Sequence, residues 1–371
     1  MGISEKGKCF KLILVSFFVI VLQLTVVFAC TGIQLIGDDG TVARGRTNEW
    51  GAFNMYSVAS IIPVDTLFQG TTPDGTNGLE WKSKYGFVTI GANGGITMDG
   101  MNTEGLSAGG FFHNGFAKYA EYDPKLADKS LAAVDCLDFI LSNFATVEET
   151  KKGLEKVRVI SVIDPILGSD WPAHCMISDK SGDCIVVEFT DGEIAFYDNP
   201  VGVITNNPNF DWHLTNLRNY GFISNNEFET VEWGDLEISP LAAGSGMLGL
   251  PGDFTSPSRF VRAVVFSQYS RKTKGGYDTV QEIFRILDNF NVGAHMAEGS
   301  DTSSVDQMPS STQWTLVNDT KNLIMYYHTM YNRRVREINL NDIDFSKGKV
   351  RSIPIDETPK EDIEDVTGNL K

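Results

Sequence analysis

The chain has 371 residues, of which 42% are hydrophobic and 21% charged, and its formal net charge is -17. This composition is typical of a globular protein and argues against a disordered, collagen-like or multi-span membrane protein. The negative charge also argues against nucleic acid as a partner, because so acidic a chain repels phosphate backbones. The length is compatible with one large mixed domain.

The N-terminus is predicted to be a targeting segment. Three lysines up to Lys11 form a basic stretch, and an apolar run of 18 residues, 12–29, follows. Val27 and Ala29 are small residues at the two positions that a signal peptidase reads. Residues 1–29 therefore resemble an export signal that is removed from the mature protein. We expect an exported protein, periplasmic or secreted, with no stable membrane insertion after cleavage.

Two alternatives remain open for this segment. The apolar run is just long enough to span a membrane, so it is compatible with a retained anchor that never exposes Cys30. The sequence from Val27 to Cys30 also loosely resembles a lipoprotein cleavage box. In that case Cys30 would carry lipid, and the protein would bind acyl ligands without catalysis.

The mature chain is predicted to begin with a β-hairpin. Runs 33–36 and 41–46 alternate in polarity on either side of an Asp-Gly turn, which is a strong hairpin signal. Further runs with the character of strands are 85–90, 106–112, 175–177, 184–189, 313–317, 323–327 and 335–340.

Three helices are predicted between these strands. One spans 131–143, and another opens with a capping-box pattern at Thr146 and runs toward Val157. The third opens with a similar pattern at Thr279 and carries apolar residues at helical spacing up to Phe290. Strands, helices and again strands predict an α+β fold over residues 30–353, and the acidic tail 354–371 is predicted to be disordered.

Three other patterns do not predict sites. Residues 244–249 fit the dinucleotide pattern GxGxxG, but Pro251 follows before a helix can begin. The five histidines are scattered without a short ligand pair, so we expect no metal and regard them as structural. At most one bridge can form among Cys136, Cys175 and Cys184, and we expect small buried residues rather than a disulfide.

Cleavage after Ala29 would give Cys30 a distinctive chemistry. One residue would then carry both a thiol and a free α-amine, whose reference pKa of about 7.7–8.0 leaves much of it neutral once slightly lowered. A neutral amine can take the thiol proton and later protonate a leaving nitrogen. A thiolate also needs nearby positive charge, and Arg46 lies on the strand that the hairpin turn pairs back toward Cys30.

From this point the sequence resembles a known family, the choloylglycine hydrolases and penicillin V acylases, which are N-terminal-nucleophile hydrolases of linear amides. The stretches that carry the resemblance are CTG at 30–32, GR at 45–46, EW at 49–50, DGMNTEGL at 99–106, HCMISD at 174–179, VVE at 186–188, TNNPNFDW at 205–212 and LPGDFTSPSRF at 250–260. They extend over nearly all of the mature chain, and together they are far more specific than any one alone.

The resemblance implies a role for each matching position. Cys30 corresponds to the nucleophile, and Arg46 would stabilise its thiolate and the substrate carbonyl region. The family's catalytic Asp falls at Glu49, which keeps the charge and can hold and orient the α-amine, while its extra methylene shifts the carboxylate. Asn206 would donate a side-chain N–H to the oxyanion. Arg259 would support the site through a charge-assisted hydrogen bond.

Phe112 is the clearest departure from the family pattern, which has Asn in bile-salt hydrolases and Tyr in penicillin V acylases at this position. The resemblance implies that its backbone N–H contributes to the oxyanion hole, so Phe is compatible with activity and makes the site more apolar. Taken singly, each of these residues also has an ordinary structural explanation, such as a surface ion pair between Arg46 and Glu49. The catalytic interpretation is favoured because all of the positions fit one site.

The resemblance thus implies a four-layer αββα sandwich and an exported cysteine amidase. Its substrates would be small N-acyl amides such as conjugated bile salts, penicillin V or N-acyl homoserine lactones. No cofactor or metal would be needed. The family resemblance also implies a homotetramer.

Overall fold

The computed structural model describes residues 29–51, 54–92, 95–164, 170–297, 310–346 and 348–370. The predicted export signal, apart from Ala29, lies outside the described residues. Among the helices that the structure does describe, none is both long and apolar enough to cross a bilayer.

The strands of the described residues are numbered in chain order. They are β1 (Thr31–Ile36), β2 (Val42–Trp50), β3 (Val58–Ile62), β4 (Leu67–Gln69), β5 (Glu80–Lys82), β6 (Phe87–Ala92), β7 (Ile96–Asn102), β8 (Ser107–Phe112), β9 (Ser130–Ala132), β10 (Arg158–Ile160), β11 (Ala173–Ser178), β12 (Cys184–Thr190), β13 (Glu193–Asp198), β14 (Val203–Ile204), β15 (Val231–Trp233), β16 (Leu236–Ile238), β17 (Ser311–Asp319), β18 (Ile324–Thr329), β19 (Arg336–Asn339) and β20 (Arg351–Pro354).

The α-helices of the described residues are α1 (Cys136–Asn143), α2 (Val147–Leu154), α3 (Phe210–Asn216), α4 (Ser256–Gln268) and α5 (Tyr277–Leu287). Short 3-10 turns follow α3 and α5, at Leu217–Tyr220 and Asp288–Phe290.

Two antiparallel sheets make up the centre of the described structure. A six-stranded sheet has the order β14-β1-β2-β17-β18-β19, and an eight-stranded sheet has the order β13-β12-β11-β8-β7-β6-β3-β20. Apolar side chains of both sheets meet in one cluster, in which Val88 and Met101 of the larger sheet join Leu316 and Met325 of the smaller. The sheets therefore pack face to face, as in a sandwich.

Helices cover the two outer faces of this sandwich. Helices α4 and α5 pack on β1, β2 and β17, and α1 packs on β7 and β8. Val147 and Leu154 of α2 join the same apolar cluster as α1. The resulting four layers confirm the predicted αββα sandwich of the N-terminal-nucleophile hydrolase type.

Several local sequence signals were confirmed. The predicted hairpin is formed by β1 and β2, and Thr146 caps α2 by accepting a hydrogen bond from the Glu149 backbone nitrogen. The remaining predicted strands correspond to β6, β8, β11, β12, β17, β18 and β19.

Two helix boundaries were predicted wrongly. Residues 130–132 form β9 because they pair in parallel with β10, so α1 begins only at Cys136. Helix α5 begins at Tyr277 rather than at a Thr279 cap. Thr279 is buried inside the helix, and its hydroxyl bonds to that of Thr273 at 2.8 Å.

The predicted domain boundary at residue 353 lies within a strand. β20 pairs with β3 at the edge of the larger sheet, and the side chain of Ile355 is buried directly after it. Arg336 then binds Asp356 at 2.8 Å. The domain therefore continues at least to Asp356, and disorder in the rest of the acidic tail stays a prediction.

The described cysteines Cys30, Cys136, Cys175 and Cys184 are free thiols in this structure, and all four are buried. Cys175 and Cys184 lie on the neighbouring strands β11 and β12, which pair antiparallel. Their burial matches the expectation of small apolar residues.

Candidate active site

The hairpin register places Cys30 beside Arg46. Cys30 directly precedes β1, and Gly32 of β1 pairs with Arg46 of β2. A side chain at Gly32 would collide with the Phe111 ring, since an added Cβ would lie 2.6 Å from it. The glycine after Cys30-Thr31 thus allows β1 to lie close against the neighbouring sheet.

Arg46 brings a positive charge to the thiol. Its Nη2 lies 3.0 Å from Cys30 Sγ and 3.0 Å from Asn48 Oδ1, and its other hydrogen bonds go to backbone carbonyl oxygens. The guanidinium is buried and stacks on Phe111, with its central carbon 4.4 Å from the ring centroid. Because its bonded partners are neutral, its charge is available to a thiolate. The ordinary alternative of an Arg46–Glu49 surface pair is wrong, since both side chains are buried.

Burial and charge act in opposite directions on the Cys30 thiol. Loss of solvent raises its pKa, and the Glu49 carboxylate raises it further, while Arg46 and Arg259 lower it. Burial is the largest effect, so the pKa lies above its usual value. The resting sulfur is therefore protonated at neutral pH, and a nearby base is required to activate it.

Asn206 connects the first strand to helix α4. Its Oδ1 accepts hydrogen bonds from the Cys30 backbone nitrogen at 2.9 Å and from Arg259 Nη2 at 2.8 Å. Its Nδ2 donates to the Phe112 carbonyl oxygen at 2.7 Å. Three distant parts of the chain thereby converge on one amide group.

Arg259 holds the backbone of the nucleophile. Its Nη1 donates to the Cys30 carbonyl at 2.5 Å and to Thr31 Oγ1 at 2.9 Å. Burial lowers the pKa of Arg259 to about 10, so the group remains cationic at neutral pH. Helix α4 supplies this residue in its first turn, with Thr255 as N-cap and Pro257 near its start.

Glu49 lies in the same buried region but does not bind the Cys30 nitrogen in this structure. Its Oε1 accepts from Thr312 Oγ1 at 2.6 Å, and its Oε2 accepts from Thr47 Oγ1 at 3.1 Å. Burial, against the hydrogen bond from Thr312 and the charge of Arg259, raises the pKa of Glu49 to about 7. The role that the family resemblance implies for this position, orienting the α-amine, stays a prediction.

A narrow apolar cavity of about 50 Å³ opens beside Cys30. Trp50 and Trp171 stack along its wall with ring centroids 5.6 Å apart, and Phe112 meets Trp50 edge-on at 6.4 Å. Asn48 also lines the cavity, two residues after Arg46 on β2. Sequence reasoning missed Asn48 and Trp171 as site residues, although the period of two along a strand places Asn48 on the face of Arg46.

Three histidines that we regarded as scattered meet behind the site. His113 and His174 stack in parallel, with centroids 4.1 Å apart and planes 6° from parallel, and both approach Glu188. His213 bonds through Nε2 to the Asn206 carbonyl at 3.2 Å. Their distances in sequence left no signal of this cluster.

His113, His174 and Glu188 offer ligand atoms within 4.8 Å of one another. A metal ion lies in the plane of each imidazole that binds it, at about 2.0–2.1 Å from the nitrogen. Two rings stacked in parallel cannot both direct an in-plane lone pair at one ion. The arrangement therefore does not fit a shared metal ion. His174 Nδ1 lies at hydrogen-bond distance, 3.2 Å, from Glu188 Oε1, whereas His113 Nε2 approaches the same oxygen only to 3.8 Å.

The geometry brings all of the predicted site residues into one region. Cys30, Arg46, Asn206, Arg259 and the Phe112 backbone are linked by direct hydrogen bonds, and Glu49 is joined through Thr47, whose Oγ1 accepts from the Thr31 nitrogen at 3.3 Å. A buried thiol beside an arginine, with amide donors and an apolar cavity, is suited to nucleophilic attack on an acyl carbonyl.

Comparison with known proteins agrees with this chemistry. A sequence model of the linear amide C-N hydrolases, choloylglycine hydrolase family, matches residues 30–358. Bile salt hydrolase/transferase of Clostridium perfringens is 32% identical over 336 residues, which are 89% of this chain and 98% of that protein. Penicillin V acylase of Pectobacterium atrosepticum is 28% identical over 294 residues, 73% of this chain and 70% of that protein.

Solved structures show the same fold. A mutant conjugated bile acid hydrolase from Clostridium perfringens has a TM-score of 0.79 at 27% identity, covering 91% of this chain and 99% of that one. Penicillin V acylase from Agrobacterium tumefaciens has a TM-score of 0.72 at 26% identity, with coverages of 88% and 91%.

Fold, site and comparisons together define an enzyme that hydrolyses linear amide C–N bonds, of the bile salt hydrolase and penicillin V acylase type. The chain belongs to the choloylglycine hydrolase family.

Proposed function

We propose that the protein is an exported cysteine amidase that acts on N-acyl amides through an N-terminal Cys30. The observation that carries the proposal is the environment of this residue: Sγ lies 3.0 Å from Arg46 Nη2, and the backbone nitrogen donates to Asn206 Oδ1 at 2.9 Å. Removal of residues 1–29 would turn that nitrogen into a free α-amine already bound within the site.

The α-amine supplies the base that the buried thiol needs. Two buried guanidinium groups, of Arg46 and Arg259, lie near it and favour its neutral form by charge repulsion. A neutral amine can accept the thiol proton as Sγ attacks the amide carbon. It then returns the proton to the leaving nitrogen, as a general acid.

The reaction proceeds through an acyl-enzyme. Attack of Sγ forms the S–C bond and a tetrahedral oxyanion, which the Asn206 side chain and the Phe112 backbone N–H stabilise. Collapse breaks the C–N bond, and the leaving nitrogen, which takes the proton returned by the α-amine of Cys30, departs as a neutral amine. Water then attacks the thioester, which yields the carboxylic acid and restores the thiol.

The cavity supports an aromatic or linear acyl group. Its walls are mainly apolar, with Ile96, Met98, Val134 and Leu137 alongside the stacked tryptophans. Phe112 and the stacked Trp50 and Trp171 present flat aromatic faces beside Cys30, which suit packing against an aromatic ring or an alkyl chain. We therefore propose penicillin V or N-acyl homoserine lactone type substrates ahead of conjugated bile salts.

A hydrolysis panel tests this proposal. We expect phenoxyacetyl and linear acyl amides to be cleaved at least about 10-fold more efficiently than glycocholate, measured as kcat/KM.

Trp171→Ala should raise KM for the preferred acyl group by roughly 10-fold, because it removes one face of the aromatic wall. Tyr277→Ala, at an exposed aromatic residue at the start of α5, is the control and should leave KM unchanged. A preference for glycocholate would contradict the acyl assignment but not the amidase chemistry.

We also propose that the protein self-associates through the β15–β16 hairpin, in keeping with the homotetramer that the family resemblance implies. Large apolar side chains project from this hairpin into solvent: Trp233 is 73% exposed, Leu236 62% and Val231 42%. A cluster of this kind on a globular protein marks an association surface.

Substitution in this hairpin should reduce the oligomer. We expect Trp233→Ser combined with Leu236→Ser to shift the mass measured by light scattering from a tetramer toward a monomer. The control is Ile36→Ser, which alters an exposed apolar residue beside the β1–β2 turn and should keep the tetramer. A wild type that is already monomeric, or a double variant of unchanged mass, would refute this surface.

A further inference from the structure

Two consecutive backbone carbonyls beside the nucleophile are bound by buried imidazoles. His174 Nε2 lies 3.0 Å from the Thr205 carbonyl oxygen, and His213 Nε2 lies 3.2 Å from the Asn206 carbonyl oxygen. Both histidines are about 1% exposed. Since a carbonyl can only accept, each ring must present an N–H at Nε2.

The segment that these rings bind has little other backbone support. β14 ends at Ile204, so the ladder to β1 does not extend to Thr205 or Asn206. The Asn206 nitrogen donates to Ser256 Oγ at 2.9 Å. The orientation of the Asn206 side chain therefore depends on contacts from other parts of the chain rather than on the pairing of β14 with β1.

Glu188 holds His174 in the required orientation. Its Oε1 lies 3.2 Å from His174 Nδ1 and also accepts from the Phe210 backbone nitrogen at 2.8 Å. Without a proton between Oε1 and Nδ1, two lone pairs would face each other. A proton on Glu188 Oε1 removes this repulsion, because a neutral ring with its N–H at Nε2 has only an acceptor at Nδ1, and burial raises the pKa of Glu188.

His213 is held by packing. Its ring stacks on Phe260 of α4, with centroids 4.6 Å apart and planes 18° from parallel. Phe260 follows Arg259, which binds both the Cys30 carbonyl and Asn206 Oδ1. The His213 ring is thus aligned by the same helix turn that positions the nucleophile.

We propose that His174 and His213 are positioning residues for catalysis, which hold the Thr205–Asn206 backbone so that the Asn206 amide is aligned with Cys30. The inference rests on the proposed role of Asn206. Small displacements of a reacting or stabilising group cost large factors in rate, so a clamp on these carbonyls affects kcat more than substrate binding. Burial lowers the pKa of both histidines to about 4, so both act as neutral rings through a single N–H.

Paired substitutions separate this role from simple packing. In Gln the amide nitrogen reaches roughly the position of imidazole Nε2, whereas in Asn it reaches only that of Nδ1. His174→Gln and His213→Gln should therefore keep kcat within about 3-fold of wild type. His174→Asn and His213→Asn should lose roughly 10- to 30-fold in kcat, with KM changed less than 2-fold. Thermal melting of all four variants measures stability in parallel.

The outcomes are distinguishable. Equal activity of the Gln and Asn variants in an active enzyme would overturn the clamp alone. If the Asn variants fail to fold, the test rests on His174→Gln and His213→Gln. A kcat near wild type in both Gln variants supports the clamp. A loss of kcat in both Gln variants as large as that of Asn206→Ala overturns it. A wild type without amidase activity would refute the proposed function, and this inference with it.

Discussion

Cys30→Ala should abolish amide hydrolysis, with kcat reduced on the order of 10⁵-fold or more, while the fold is kept. The sulfur is the only atom removed, and it is the nucleophile in the proposed mechanism. The loss is measured as kcat on the best substrate of the panel, with circular dichroism to confirm the fold. Residual turnover at more than a few per cent of wild type would remove Cys30 from the mechanism.

A second buried thiol provides the matched control. Cys184 lies in β12, and its Sγ is 3.5 Å from Ser178 Oγ; neither of these two residues lines the cavity. Cys184→Ala should retain activity.

Intact-mass measurement of the active wild type should give a chain that begins at Cys30 with an unmodified α-amine. A retained upstream residue, or a lipid adduct on Cys30, in the active form would contradict the proton transfer that we propose.

Asn206→Ala should lower kcat by 10²- to 10³-fold, about 2.7–4 kcal/mol of transition-state stabilisation, as for other oxyanion donors. The substitution removes the acceptor of the Cys30 nitrogen and of Arg259 Nη2, together with the donor toward the oxyanion. KM should change much less, because these interactions matter most when negative charge develops on the carbonyl oxygen.

The neighbouring amide serves as a control for this experiment. Asn207 Nδ2 bonds to the Asn114 carbonyl at 2.9 Å near the surface, so Asn207→Ala should stay within about 2-fold of wild type. Asn206→Asp restores the acceptors but not the N–H donor, and it should remain impaired. An active Asn206→Asp would show that the oxyanion is stabilised elsewhere.

The pairing of Cys30 with Arg46 could be predicted because it depends on short-range structure. Cys30 directly precedes β1, and Arg46, 16 residues later, lies on β2 of the same hairpin. The Asp-Gly turn and the alternation of apolar residues determine that register. The same kind of local signal located the cap of α2 correctly.

Other features lay beyond local reasoning. The sequence offers helix α4 only as a structural alternative for Arg259, a helix beginning near Ser258, because the Val-rich run of residues 260–265 is compatible with a strand as well as a helix. Sequence patterns also extended α1 back through residues 131 and 132, which form a strand only because β10 lies beside them. Thr279 resembled a cap, yet packing placed it inside α5.

The sequence by itself determined the family, the identity of the nucleophile candidate and its pairing with Arg46, since motifs and hairpin chemistry are local properties. Only the tertiary structure decided that Asn206 and Arg259, 176 and 229 residues from Cys30, bind its nitrogen and its carbonyl. Likewise, only the tertiary structure shows that His174 and His213 lie beside the Thr205–Asn206 backbone and that Trp171 stacks on Trp50 in the cavity wall. Such contacts depend on how two sheets and their helices pack, and burial on that scale is a cooperative property of the whole chain.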